Sequence, residues 1–282
     1  MKRTMAFAVV AMFLIVGTVA TAVASSKSNR INTHYVPPKN ALHQQIYLQL
    51  QERRSLEKLK EFLSPFRLPR TLDISLAGCD GEADAFYEDA AITICYEYLN
   101  ELWENRPEKT TPSGIAPVDT VIGPLVDTTL HEFAHALFDM LKLPVLGPEE
   151  TAADMVAAYI YLQLRGDEAH RLISGTVYAY SNEAKNRTAP LKLKEFADVH
   201  GTPEQRAYNL LCIAYGADAQ LFGDFVSKGY LPERRAEFCY EEYEQIQDAF
   251  EQLITPHIDR ALAEKIMNKN WLPDRNQPIL RR

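Results

Sequence analysis

The sequence contains no glycine-rich phosphate loop, no dinucleotide-binding fingerprint and no G-x-S-x-G, so the common nucleotide and serine-hydrolase chemistries have no foothold in it. It has no low-complexity run and no evident internal repeat, and at 46% hydrophobic and 24% charged it has the composition of an ordinary globular protein. Positive charge is also in short supply. The net charge is −8, and residues 1–24 carry Lys2 and Arg3 but no acid. The remainder therefore sets 28 basic against 38 acidic side chains, a charge of −10. No basic stripe interrupts that balance, which argues against nucleic acid or anionic membrane as a partner. At 282 residues the chain can bury a sizeable core, as one domain or at most two.

The first 24 residues read as a secretory signal peptide. Lys2 and Arg3 form a positive region, Ala6 to Val16 an apolar one, and Ala22-Val23-Ala24 a small-residue cleavage site. An uncleaved anchor is the alternative, although Gly17, Thr18 and Thr21 dilute the second half of the apolar stretch. Either way the body of the protein is expected in the periplasm or outside the cell, without stable membrane insertion once the signal is removed. Cysteine usage agrees. There are only four, Cys79, Cys95, Cys212 and Cys239, and no C-x-x-C spacing that would favour a cysteine-ligated metal. An even set outside the cytoplasm points to disulfides, and Cys79–Cys95 with Cys212–Cys239 is the favoured pairing because each brackets a local unit.

Residues 25–40 are polar, end in Pro37-Pro38 and read as a linker. One helix is expected from Ala41 to Leu63, stopped by Pro65, and a strand from Leu72 to Ala77. Ala83–Tyr87 and Ala91–Cys95 look like two strands about a tight turn at Glu88-Asp89, followed by a helix over Tyr96–Glu104. Gly123-Pro124 suits the opening of the next helix, which ends near Leu143-Pro144. A helix from Glu149 to Leu164 follows, then a variable-looking segment from Gly166 to Pro190. Thr202-Pro203-Glu204-Gln205 carries an N-cap, a first-turn proline and a capping-box glutamine. Helices are expected from there to Tyr215, from Asp218 to Lys228 and from Pro232 to Leu253. The chain thus divides into the signal 1–24, the linker 25–40, a domain over 41–273 and an irregular tail over 274–282.

The richest stretch is His131-Glu132-Phe133-Ala134-His135. Residues four apart on an α-helix stack on one face, so His131 and His135 can bind one Zn²⁺ while Glu132 works on water beside it. Val126, Leu130, Phe133, Leu137 and Leu141 form the apolar stripe of the same helix, and the histidines flank it as the floor of a cleft would require. Catalytic zinc takes three protein ligands and leaves a fourth position open. On the next helix Glu150 and Asp154 share a face. Glu150 is assigned as third ligand, and Asp154 as the carboxylate that accepts from a ligand imidazole. Glu149 instead heads the stripe Ala153, Val156, Ile160 and Leu164, and should turn into the core.

This H-E-x-x-H followed by E-x-x-x-D resembles the glutamate-type zincins, of which thermolysin is the familiar member. Over residues 41–260 the chain is also similar to a bacterial family of secreted candidate metallopeptidases, catalogued as a domain of unknown function. The resemblance rests on Cys79, Ala85-Phe86-Tyr87, Cys95-Tyr96-Glu97, the motif from His131 to Leu137, Leu143 to Gly147 and Glu149-Glu150 to Asp154. Gln205 to Asn209, Cys212 with Ala214-Tyr215-Gly216, and Leu231-Pro232 with Cys239 extend it. The family pattern commonly has Gly where Ala134 stands and Asn where Asp84 stands. The first change keeps a small residue in a helix; the second can alter a turn or a substrate contact. The resemblance implies an α+β fold, a predominantly helical zincin-like domain with a small N-terminal sheet or hairpin.

The expected activity is zinc-dependent peptide-bond hydrolysis by one Zn²⁺, with Glu132 as general base. A noncatalytic zinc-containing binding or scaffolding module, and a zinc hydrolase of a non-peptide amide, are the alternatives. The intact base speaks against the first, and a closed pocket would favour the second over peptide. Candidate donors to the transition state are His200, Arg206 and Tyr208. The plainer account of these makes them a loop histidine, a surface ion-pair partner and a core aromatic. Asp127 and Asp139, each four residues from a motif histidine, are expected as solvated helix charges. The strands at 83–87 and 91–95 could offer an edge to an extended peptide.

Overall fold

A computed structural model describes residues 30–275. The signal segment 1–24 and most of the tail, residues 276–282, lie outside that range. The first strand, β1 (Ile31–Tyr35), falls within the stretch expected as a linker. Its five residues are paired along their length with β2 (Leu72–Ala77), so the folded region begins ahead of Ala41. Local polarity misled here, because β1 is an edge strand with Asn32 and His34 on its solvated side.

Four strands form one sheet in the order β1-β2-β4-β3, with β3 (Ala85–Glu88) and β4 (Ala91–Cys95) closing a hairpin. β1, β2 and β4 run parallel, and β3 is the antiparallel edge. The two-residue turn is Asp89-Ala90, one residue later than expected, and both have positive φ as a twisted hairpin turn demands. Strict alternation in β2 buries Leu72, Ile74 and Leu76 on one face, where Ile92 and Ile94 of β4 join them. The Cys79–Cys95 disulfide ties the loop before β3 to the end of β4, which runs directly into α3 (Tyr96–Glu104).

The helix expected over 41–63 is broken. After a 3-10 turn at Ala41–His43, α1 (Gln44–Glu52) and α2 (Ser55–Phe62) are separated at Arg54, whose φ of 54° reverses the chain. The sheet's apolar face and these helices enclose a core with α4 (Asp119–Leu141), where Leu130, Phe133 and Leu137 are almost wholly buried. α4 begins four residues ahead of Gly123-Pro124, so Pro124 lies inside it. A proline this near the start forfeits one helical hydrogen bond, and tertiary packing carries the helix through it.

That packing is against α6 (Gly166–Asn186), a 21-residue helix where a variable segment was expected. The two helices approach so closely that a Cβ on Gly123 would stand 2.7 Å from the Leu172 carbonyl oxygen, and one on Gly175 only 1.9 Å from that of Asp119. Glycine is required at both positions. α5 (Glu149–Leu162) and α7 (Pro203–Ala217) complete the layer around α4 and α6. Thr202 and Gln205 form the expected capping box on α7. Beyond it, α8 (Gly223–Ser227) is shorter than expected, and α9 (Glu233–Ala236) and α10 (Cys239–Leu253) divide one expected helix. α11 (Arg260–Met267) was not foreseen. Cys212–Cys239 joins α7 to the start of α10. The result is an α+β domain, mostly helical with a small N-terminal sheet. Among the described residues no helix is long and apolar enough to cross a membrane.

Candidate metal centre

α4 presents His131, Glu132 and His135, and α5 enters antiparallel enough to bring its first turns against them. His131 is 3% exposed and Glu132 8%. His131 Nδ1 lies 2.7 Å from Asp154 Oδ1, and His135 Nδ1 lies 2.8 Å from Glu149 Oε1. A carboxylate can only accept, so a neutral imidazole that donates its Nδ1–H to Asp154 or Glu149 turns its Nε2 lone pair inward. The two Nε2 atoms are 3.1 Å apart, and Glu150 Oε2 lies 3.0 Å from one and 3.2 Å from the other.

Three lone-pair atoms facing one another at such distances repel unless a proton or a metal cation stands among them. Ligands at about 2.0–2.1 Å around a tetrahedral zinc are separated by about 3.3 Å, close to the spacing seen. His131, His135 and Glu150 therefore form a group that can hold a metal ion. The structure brings Glu150 and Asp154, which share a face of α5, against His131. Glu149 departs from its expected place. Its side chain is 56% exposed and bonds His135 instead of turning into the core, although Ala153, Ile160 and Leu164 of its stripe are buried as expected. As the first residue of α5 it sits where the helix is not yet flanked by neighbours.

Asp154 also accepts two bonds from Arg206 on α7, at 2.9 Å from Nε and 2.7 Å from Nη2. Burial alone would raise the Asp154 carboxyl, but the bonds from His131 and Arg206 outweigh it and hold it below the usual range. Burial raises Glu132 above its ordinary value, against the pull of both histidines. Arg206 is no surface residue, and its guanidinium is committed to Asp154. His200, in the loop before α7, places Nε2 2.9 Å from Glu150 Oε2 and its ring beside that of His131. Tyr208 stands 45% exposed and lines no part of the cavity, so it is neither a donor to the site nor a core aromatic.

The site opens into a cavity of about 1020 Å³. Asp84 and the adjoining β3 residues Ala85 to Tyr87 bound it on one side and the C-terminal half of α6 on the other. Tyr87 donates to Asp139 at 2.7 Å, which Arg70 also engages, so the edge strand is fastened to α4 one turn beyond His135. Asp139, expected as a solvated charge, is only partly exposed and is paired with Tyr87, Arg70 and Lys142. Asp127 departs from expectation: it is 4% exposed and accepts from Tyr161 and Tyr180, each at 2.9 Å. Its partners lie 34 and 53 residues away, beyond what helix spacing can foresee.

A family model described as "Putative metallopeptidase" matches residues 35–254. The chain belongs to that family. No curated protein and no solved structure matches it. Membership in this metallopeptidase family points to peptide hydrolysis with a metal cofactor and a peptide or protein substrate, and the His-His-Glu group is a fitting place for that metal. The two disulfides suit an oxidising, extracytoplasmic setting.

Proposed function

We propose that the protein is a zinc-dependent peptidase of the glutamate-type zincin kind, acting in the periplasm or outside the cell. The observation that carries this reading is the triangle of inward-facing acceptor atoms from His131, His135 and Glu150, with the Glu132 carboxylate beside it in the same cavity. These three residues would hold one Zn²⁺, which when bound acidifies water and polarises a carbonyl. Glu132 would take the proton from the attacking water and hand it on to the leaving amine. Asp154 and Glu149 keep the imidazoles in the tautomer that ligation needs. His200 is the donor best placed to meet the developing oxyanion, being the one candidate of three whose side chain reaches the ligand group uncommitted to Asp154.

Peptide is favoured over a small amide by the cavity. Its volume is at the upper end of small-molecule sites, about 300–1,000 Å³, and one wall is β3, an edge strand of the sheet among the described residues. Such an edge can take an extended chain as an added strand. Glu132→Gln is expected to keep stoichiometric zinc and to lose hydrolysis in a peptide-library digest. Full residual activity in the metal-loaded variant would sink the assignment. Identical digests from both proteins, each holding zinc, would favour a binding module.

A further inference from the structure

Beneath the ligand group runs a closed polar circuit through four helices. Asp127 and His131 are four apart on α4, and Asp154 and Tyr161 seven apart on α5, so each pair shares a face. Asp154 joins His131 to Arg206 of α7. The Arg206 guanidinium stands 4.8 Å from the centre of the Tyr180 ring of α6, a cation–π contact. The Tyr180 hydroxyl donates to Asp127 Oδ2, and Tyr161 donates to Oδ1, which returns the circuit to α4 and α5. Each oxygen of the buried Asp127 carboxylate thereby accepts one tyrosine hydroxyl.

We infer that Asp127 and Tyr180 are positioning residues for the metal centre, acting through Arg206 and Asp154 on His131; this rests on the proposal that His131, His135 and Glu150 hold the metal. The physical reason is geometric. Burial pushes the Asp127 carboxyl up, so its part is to anchor the Tyr180 hydroxyl and not to supply a free charge. The ring so held fixes the guanidinium plane, and both oxygens of Asp154 are engaged. His131 then keeps a strongly polarised Nδ1–H, and its Nε2 the basicity that ligation needs.

The test is zinc affinity by chelator competition, with Zn²⁺ alone as probe, for Asp127→Asn and Tyr180→Phe, each made in the native background and in Asp154→Asn. Direct loss of a carboxylate that orients a ligand imidazole lowers metal affinity about 10–100-fold. The two more remote variants are expected to weaken it about three- to tenfold in the native background, a weaker form of the same effect, and hardly at all once Asp154 is gone. Tyr180→Phe removes one hydroxyl and keeps the ring, which guards against a mere folding failure. Affinities within twofold of the native protein, or equal losses in both backgrounds, overturn the inference, because independent structural damage is additive. If the native protein itself fails to bind Zn²⁺, the metal-site proposal falls and this inference with it.

Discussion

Gly175→Ala tests whether the approach of α4 and α6 sets the position of the site. The added Cβ would lie 1.9 Å from the Asp119 carbonyl oxygen and 2.7 Å from its carbon, whereas real Cβ contacts do not fall below 3.0 Å. The obstacle is backbone on both sides, so no rotamer change relieves it. The helices must part by about 1.1 Å at this crossing. Overpacking of a close-packed interior costs about 1–3 kcal/mol, and an unyielding contact belongs at the upper end. With a urea dependence of about 3 kcal/mol per molar, the unfolding midpoint should drop by about 1 M. Because α4 carries His131, Glu132 and His135, a shift near 1 Å relative to α5 would also lower catalytic efficiency by about 100-fold in the folded protein. Gly123→Ala, whose nearest obstacle is at 2.7 Å, should cost less. Gly166→Ala should cost least, since it meets only the Leu221 side chain at 3.2 Å. Equilibrium unfolding followed by circular dichroism measures the series. A Gly175→Ala midpoint within 0.2 M of the native value, on the order of the fit error, would refute the reasoning.

Two further outcomes follow from single contacts. Arg187 holds the Glu204 carboxyl down to about 2, so the unfolded chain, with its ordinary value of 4.5, binds more protons between those limits. The stabilisation is complete above about pH 4.5 and is lost as the pH falls toward 2. With 39% of the Glu204 side chain exposed, solvent screening limits it to about 0.5–1 kcal/mol. Denaturation of Glu204→Gln across pH should show that deficit at pH 7 and none near pH 2; a constant difference would contradict the pairing. Replacing Cys212 and Cys239 by serine opens a loop with a separation of 27 residues, for which the chain-entropy account gives a loss of about 3.5 kcal/mol in urea titrations. A loss below 1 kcal/mol would place the stabilisation elsewhere.

Where expectation and structure agree, the information was local. The alternation in Leu72–Ala77, the run Tyr96–Glu104 and the capping box at Thr202 depend on residues within a few positions of one another. Failures came where distant packing overrode local pattern. Arg54 breaks a continuous apolar period because α1 and α2 must turn over the sheet. α6 escaped notice because its buried face includes small residues, Ala169, Gly175 and Thr176, which suit a close helix crossing but weaken the apolar stripe.

The candidate centre divides in the same way. Spacing alone put His131 beside His135, and Glu150 beside Asp154, because a helix repeats every 3.6 residues whatever surrounds it. The sequence by itself thus determined which side chains share a face and what chemistry they can perform. Only the tertiary structure decided that Glu149 faces His135, that Asp127 is enclosed between two tyrosines, and that Arg206 grips Asp154 from 52 residues away. A carboxylate has the same intrinsic chemistry everywhere. Whether it is a solvated charge, a ligand or a buried anchor is set by which helices pack against it.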